Sequence, residues 1–205
     1  MGRYIAGHIF FLMKSILISL FLLFLVPTKK DVKILYIGDS LTCYSNGWQH
    51  TVAKGMGMGY VNISKGGKRT DWMLKTLRNY LENGPHHNTL IIYGGINDSF
   101  ASTKESTTIN NLQSMVDLGN LYEMEVIVIV GYDPSKVIKK TVYSDNTTKV
   151  CRDRYIKLQK KIEERLLGCK IIPMDTTVTY QDSGDGIHLK SSGHKKFANW
   201  VLKNL

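Results

Sequence analysis

Beyond its first thirty residues the chain alternates short apolar runs with longer stretches in which apolar residues return every three or four positions. The runs at 32–37, 60–63, 89–93, 125–130 and 170–173 are brief, rich in Ile, Val or Tyr, and bounded by Gly, Asn, Asp or Pro. That combination predicts five strands. Between and after them lie helical patterns: 48–56, weakly amphipathic; 71–81 with Trp72, Leu74, Leu77 and Leu81; 106–124 with Ile109, Leu112, Met115, Val116 and Leu118; 150–167 with Tyr155, Leu158, Ile162 and Leu166; and 191–205 with Phe197, Ala198, Val201 and Leu202. Strand–helix alternation of this kind predicts an α/β domain, a parallel sheet covered by helices on both faces. Residues 136–148 are polar, show no apolar period, and are expected to form a surface loop or a lid over the site. The 205 residues suffice for one domain with a sizeable core, and no internal repeat or second domain is visible.

The start of the chain breaks the pattern. From Ile9 to Val26 it is almost wholly apolar, interrupted by Lys14, Ser15 and Ser19, and followed by Pro27-Thr28-Lys29-Lys30. Residues 1–30 are therefore expected to be a signal peptide or an uncleaved N-terminal membrane anchor, with 31–205 as the working domain. Met13-Lys14 resembles the start of a signal and argues for export, secreted or periplasmic. Lys29, Lys30 and Lys33, against Arg3 on the other side, argue for a cytoplasmic domain. Export is the expectation carried forward.

Charge adds little about partners. The chain carries 27 Lys and Arg against 17 Asp and Glu. Much of the excess lies in Lys136, Lys139, Lys140, Lys149, Arg152, Arg154, Lys157, Lys160 and Lys161. A solvated helix face is the expected reading, with attraction to an anionic surface as the alternative. No nucleic-acid module is present, so no nucleic-acid partner is expected. The three cysteines, Cys43, Cys151 and Cys169, have neither zinc spacing nor a disulfide framework. One bridge among them remains open, and Cys43 is expected to be a packed side chain.

The candidate chemistry lies at the ends of the predicted strands, where open α/β sheets bind ligands. Gly38-Asp39-Ser40-Leu41 follows the first strand, Gly66-Gly67 the second, and Gly94-Gly95-Ile96-Asn97-Asp98 the third. Far downstream stands Asp185-Gly186-Ile187-His188. A serine hydroxyl becomes nucleophilic only when a base takes its proton and a third group orients that base. On a helical turn, residues three apart share a face, so Asp185 would hold one ring nitrogen of His188 while the other meets Ser40. Asp182 is the lesser candidate for the acid. Attack on an ester creates an oxyanion, and glycine-loop amides with the Asn97 side chain supply uncharged donors for it. Helix capping by Ser40 and a turn role for Asn97 are the structural alternatives. Lys65, Lys68 and Arg69 flank the glycines and are expected to face solvent, with selection of an anionic substrate as the alternative.

These blocks resemble those of the SGNH, or GDSL, hydrolase superfamily of esterases and lipases. Gly38-Asp39-Ser40-Leu41 is similar to its nucleophile block. Asn62 followed by Gly67 is similar to its second block, Gly95-Ile96-Asn97-Asp98 to its third, and Asp185-Gly186-Ile187-His188 to its last. The resemblance implies a flavodoxin-like, three-layer α/β/α fold with a parallel five-stranded sheet. It implies Ser40 as nucleophile, His188 as base, Asp185 as its orienting acid, and the Ser40 and Gly67 amides with Asn97 as oxyanion donors. No metal or organic cofactor is expected. The expected activity is hydrolysis of carboxylic esters through an acyl-enzyme, on a small-molecule, glycan or lipid ester, with short acyl groups and O-acetyl glycans foremost. An O-acyltransferase using the same site is the enzymatic alternative, and a membrane-tethered binding module on a retired site is the non-catalytic one. Oligomeric state is not legible.

Overall fold

The structure, a computed structural model, describes residues 33–205. The expected N-terminal signal or anchor lies outside the described residues. Among those described, no helix is long and apolar enough to cross a membrane.

Five parallel strands form one sheet: β1 (Lys33–Gly38), β2 (Gly59–Asn62), β3 (Thr89–Tyr93), β4 (Glu125–Ile129) and β5 (Lys170–Ile172). Their order is β2-β1-β3-β4-β5, every pair parallel. The central strands β1, β3 and β4 read as unbroken apolar runs because both their faces are covered. The edge strands β2 and β5 are shorter and partly exposed.

Helix α1 (Trp48–Gly55) links β1 to β2, and α2 (Thr70–Asn83) carries the chain back across β1 to β3. The two crossovers run in opposite directions, so right-handed connections put α1 and α2 on opposite faces of the sheet. The last helix, α7 (Ser191–Asn204), packs against α1, while α4 (Glu105–Leu121) packs against α2 and against α6 (Asp145–Arg165). This is the three-layer arrangement that the resemblance implies. Under α1 and α7 the core is aromatic. Trp48, fully buried, meets Tyr36, Tyr93 and Phe197 edge-on at centroid distances of 5.5, 6.0 and 5.4 Å. Such pairs add to simple area burial.

The strand order reverses between β1 and β3, the point at whose carboxyl ends sheets of this kind bind ligands. Register makes it symmetrical: Gly38 pairs with Tyr93, so both strands end level and their following loops leave side by side.

Three features differ from the sequence reading. Helix α6 starts at Asp145, earlier than its apolar period suggests, because Ser144 caps it by accepting from the Thr147 N–H at 3.3 Å and its first turns point outward. The stretch 136–148 is not uniformly a polar loop. It overlaps the short helix α5 (Pro134–Val137), and Val137 and Ile138 are fully buried. A second unforeseen helix, α3 (Ile96–Phe100), is too short to show a period. All three cysteines are free. On α6 several of the clustered cations are spent locally: Lys149 on Asp153, Lys161 on Glu164, and Arg154 on Ser102.

Candidate active site

Ser40 lies in the turn directly after β1. No helix follows it until Trp48, which removes the capping role. The turn is fixed from within and from outside. The Leu41 N–H donates to Asp39 Oδ1 at 3.0 Å, and the Thr42 and Cys43 N–H groups donate to the Asp39 carbonyl. Asn62, at the end of β2, donates through Nδ2 to the Thr42 carbonyl at 2.7 Å and accepts the Ser64 N–H at 3.1 Å. One asparagine thus ties the serine turn to the glycine loop.

The structure brings Ser40, His188 and Asp185 together. Ser40 Oγ lies 2.9 Å from His188 Nε2, and His188 Nδ1 lies 2.6 Å from Asp185 Oδ2. An ionised carboxylate only accepts, so the proton between Asp185 and His188 belongs to Nδ1. Nε2 is then left as the acceptor for the Ser40 hydroxyl. This is the tautomer a general base needs. Burial works against ionisation of Asp185, but the His188 ring and the His188 and Ile187 amides outweigh it and hold the carboxyl below the usual carboxylate range.

The route to this geometry differs from the helical turn expected. Asp185 to His188 lie in an irregular loop closed by a bridge between Ser183 and Leu189. Asp185 Oδ1 accepts the Ile187 N–H at 2.9 Å and the His188 N–H at 2.7 Å, an aspartate-centred turn that aims the imidazole. Gly186 makes it feasible, with φ +85° and no room for a side chain: a Cβ there would stand 2.0 Å from the Lys140 carbonyl. The buried Tyr132 hydroxyl donates to the Ile187 carbonyl at 2.7 Å and anchors the loop from below. Asp182 serves elsewhere, pairing with Lys196 at 2.7 Å and accepting from Thr179 and Ser192.

On the other side of Ser40 the glycine loop approaches closely. A Cβ on Gly66 would stand 3.7 Å from Ser40 Cβ. Gly67, at φ +70°, turns the chain outward and shares a surface hollow with Asn97. Asn97 donates through Nδ2 to the Lys68 carbonyl at 3.0 Å, which pins the glycine loop and leaves its second N–H uncommitted to that bond. Asp98 holds the same pair of loops together. Its buried carboxylate accepts the Thr70 N–H at 3.0 Å and the Thr70 hydroxyl at 2.7 Å.

Three positioning residues were not legible as such: Asp98, Tyr132 and Asp39. Asp39 is fully buried, and its Oδ2 has no hydrogen-bond partner. Burial pushes its carboxyl up to about 7, against the opposing pull of the Leu41 amide and with help from the Asp98 charge. Burial and the Asp39 charge likewise push the Cys43 thiol up, away from a reactive thiolate. Among the described residues no group of three His, Cys, Asp or Glu side chains is placed to hold a metal ion.

No curated protein sequence matches this chain closely enough to count as a relative. Solved structures do match its fold. A member of the lipolytic G-D-S-L family from Veillonella parvula superposes with a TM-score of 0.65 at 17% identity, covering 84% of this chain and 97% of that one. A GDSL-like lipase from Bacteroides thetaiotaomicron gives 0.61 at 17% identity, covering 86% and 89%. An acetylxylan esterase from Geobacillus stearothermophilus gives 0.61 at 16% identity, covering 84% and 93%. Likeness at such low identity speaks for a common fold. The sequence itself speaks for more: residues 36–196 match the model of the GDSL-like lipase/acylhydrolase family, and the chain belongs to that family.

Proposed function

We propose that the protein is a serine esterase that hydrolyses carboxylic esters of short acyl groups, O-acetyl groups on a glycan foremost. The observation that carries this reading is the continuous relay from Ser40 Oγ through His188 to Asp185, at 2.9 and 2.6 Å. As His188 Nε2 takes the hydroxyl proton, Ser40 Oγ bonds to the acyl carbon and the carbonyl electrons move to oxygen. The Ser40 and Gly67 N–H groups and the free N–H of Asn97 receive that charge. Collapse expels the alcohol, which takes the proton held by His188, while the acyl group stays on Ser40. Water then gives a proton to His188 and attacks the acyl carbon. The second collapse releases the acid and returns the proton to Ser40.

The acetylxylan esterase among the structural neighbours supports the glycan choice at the level of fold alone. The N-terminal apolar segment supports an exported or membrane-anchored enzyme. The test is a panel of 4-nitrophenyl acetate, butyrate and octanoate with the full chain, beside Ser40→Ala. Cleavage of the two shorter esters, lost in the variant, is the expected result. Equal rates in both proteins would remove Ser40 from the reaction. Product appearing on added sugar acceptors instead of in water would make the enzyme a transferase.

A further inference from the structure

The hollow that holds Gly67 and Asn97 has a second group of residues that the ester chemistry does not use. Trp72 and Phe100 give it two aromatic walls, and Lys68 and Arg69 give it two cations. The cations are not equivalent. Arg69 Nη2 is taken by Asp71 Oδ2 at 3.1 Å, so the one carboxylate in the hollow is already neutralised. Lys68 has no carboxylate within ion-pair distance among the described residues. Its Nζ instead lies 5.8 Å from the centre of the Trp72 ring. An ammonium held over an indole, facing a hollow and lacking a counter-charge among the described residues, is poised for an anion. The ring beside it suits the flat or apolar face of whatever carries that anion.

The position is fixed relative to the chemistry. The Lys68 carbonyl accepts from Asn97, so Lys68 is locked to the proposed oxyanion donors through its own backbone. Gly66, two residues earlier, stands against Ser40. The hollow at Lys68 thus adjoins, on the Asn97 side, the glycine loop that stands against Ser40.

We propose that the natural ester carries a carboxylate, which Lys68 binds while the adjoining part of the substrate packs on Trp72 and Phe100. This inference rests on the esterase reading for its substrate but not for its binding. A carboxylate on the alcohol portion, as in an acylated uronic sugar, and one on the acyl portion present the same chemistry to Lys68, so both are tested.

The full chain is assayed on two matched pairs. Methyl 2-O-acetyl-galacturonoside against methyl 2-O-acetyl-galactoside probes the alcohol portion, and 4-nitrophenyl hydrogen succinate against 4-nitrophenyl butyrate probes the acyl portion. In one pair the anionic ester is expected to have a KM about tenfold lower than its neutral twin, an advantage that shrinks with added salt. Lys68→Gln erases that advantage, and Lys68→Arg keeps most of it. Arg69→Gln changes it less, because Arg69 is already paired. Separately, methyl galacturonoside and succinate are titrated by calorimetry into Ser40→Ala and into Ser40→Ala combined with Lys68→Gln. Binding weakened about tenfold by the second substitution supports the site even if no ester is turned over, which would strike only the esterase reading. No preference in either pair, or a preference that Lys68→Gln leaves intact, overturns the proposal while leaving Ser40 chemistry standing.

Discussion

Two aspartates flank the candidate nucleophile and its base, and they are handled in opposite ways. Asp185 sits in a surface loop with its side chain 43% exposed, and both its oxygens are used, one by two backbone amides and the other by the His188 ring. Asp39, next to Ser40, is fully buried with one oxygen unpartnered. Hydrogen bonds keep the first ionised, while burial lifts the second to about 7. The contrast separates two jobs. An acid that must carry a charge beside an imidazole is satisfied locally by its own loop. An acid that must shape a turn can be hidden, at a cost that grows with pH.

That difference can be broken at several points. The largest effect is expected in the relay itself: Ser40→Ala or His188→Ala should lower kcat by about 10⁴-fold or more in the short-chain ester assay, and the double variant should be little worse than either single one. Asp185→Asn should cost about 10⁴-fold in kcat with KM nearly unchanged, because an amide neither fixes the tautomer nor stabilises the imidazolium. On the other flank, Asn97→Ala should cost about 10²-fold in kcat, the loss of one oxyanion donor. Gly186→Ala should reduce kcat without touching any reacting group, since its Cβ would collide with the Lys140 carbonyl and displace the His188 loop.

The smallest effect is the most diagnostic of Asp39. A carboxyl whose folded value is raised binds its proton more tightly in the folded state. Its penalty is absent below the unfolded value near 3.8, grows as pH rises towards about 7, and is complete above it. Asp39→Asn mimics the protonated acid, so its Tm relative to wild type should be higher at pH 8 than at pH 4. A Tm difference independent of pH would show that the buried acid does not titrate with folding.

How far the sequence revealed all this depends on the range over which each signal acts. The strands were legible because a buried parallel strand needs consecutive apolar residues, as in Ile34-Leu35-Tyr36-Ile37, whatever lies elsewhere in the chain. Ser40, Asn97 and the Asp185–His188 pair were legible because each sits in a short block at a strand end or within one loop. The proximity of Asp185 and His188 was anticipated, but through helical spacing, whereas a side-chain-centred turn with glycine at positive φ produces it. Asp39 and Asp98 stand in those same blocks, but nothing there marks their roles, and Tyr132 stands in none. Their roles come from burial against partners up to fifty-five positions away, and nothing local distinguishes a buried aspartate from an exposed one. Trp72 illustrates the same limit. Its helical spacing placed it with the core residues of α2, while the structure leaves it half-buried, walling the hollow under Lys68.

In the proposed relay Ser40 alone is made nucleophilic by His188. This is tested most directly by treating the full chain with a fluorophosphonate, which modifies activated serines, and locating the adduct by peptide mass spectrometry. A single adduct on Ser40, absent in His188→Ala, is the predicted result. No adduct, labelling at another serine, or undiminished labelling of Ser40 without His188 would contradict the account.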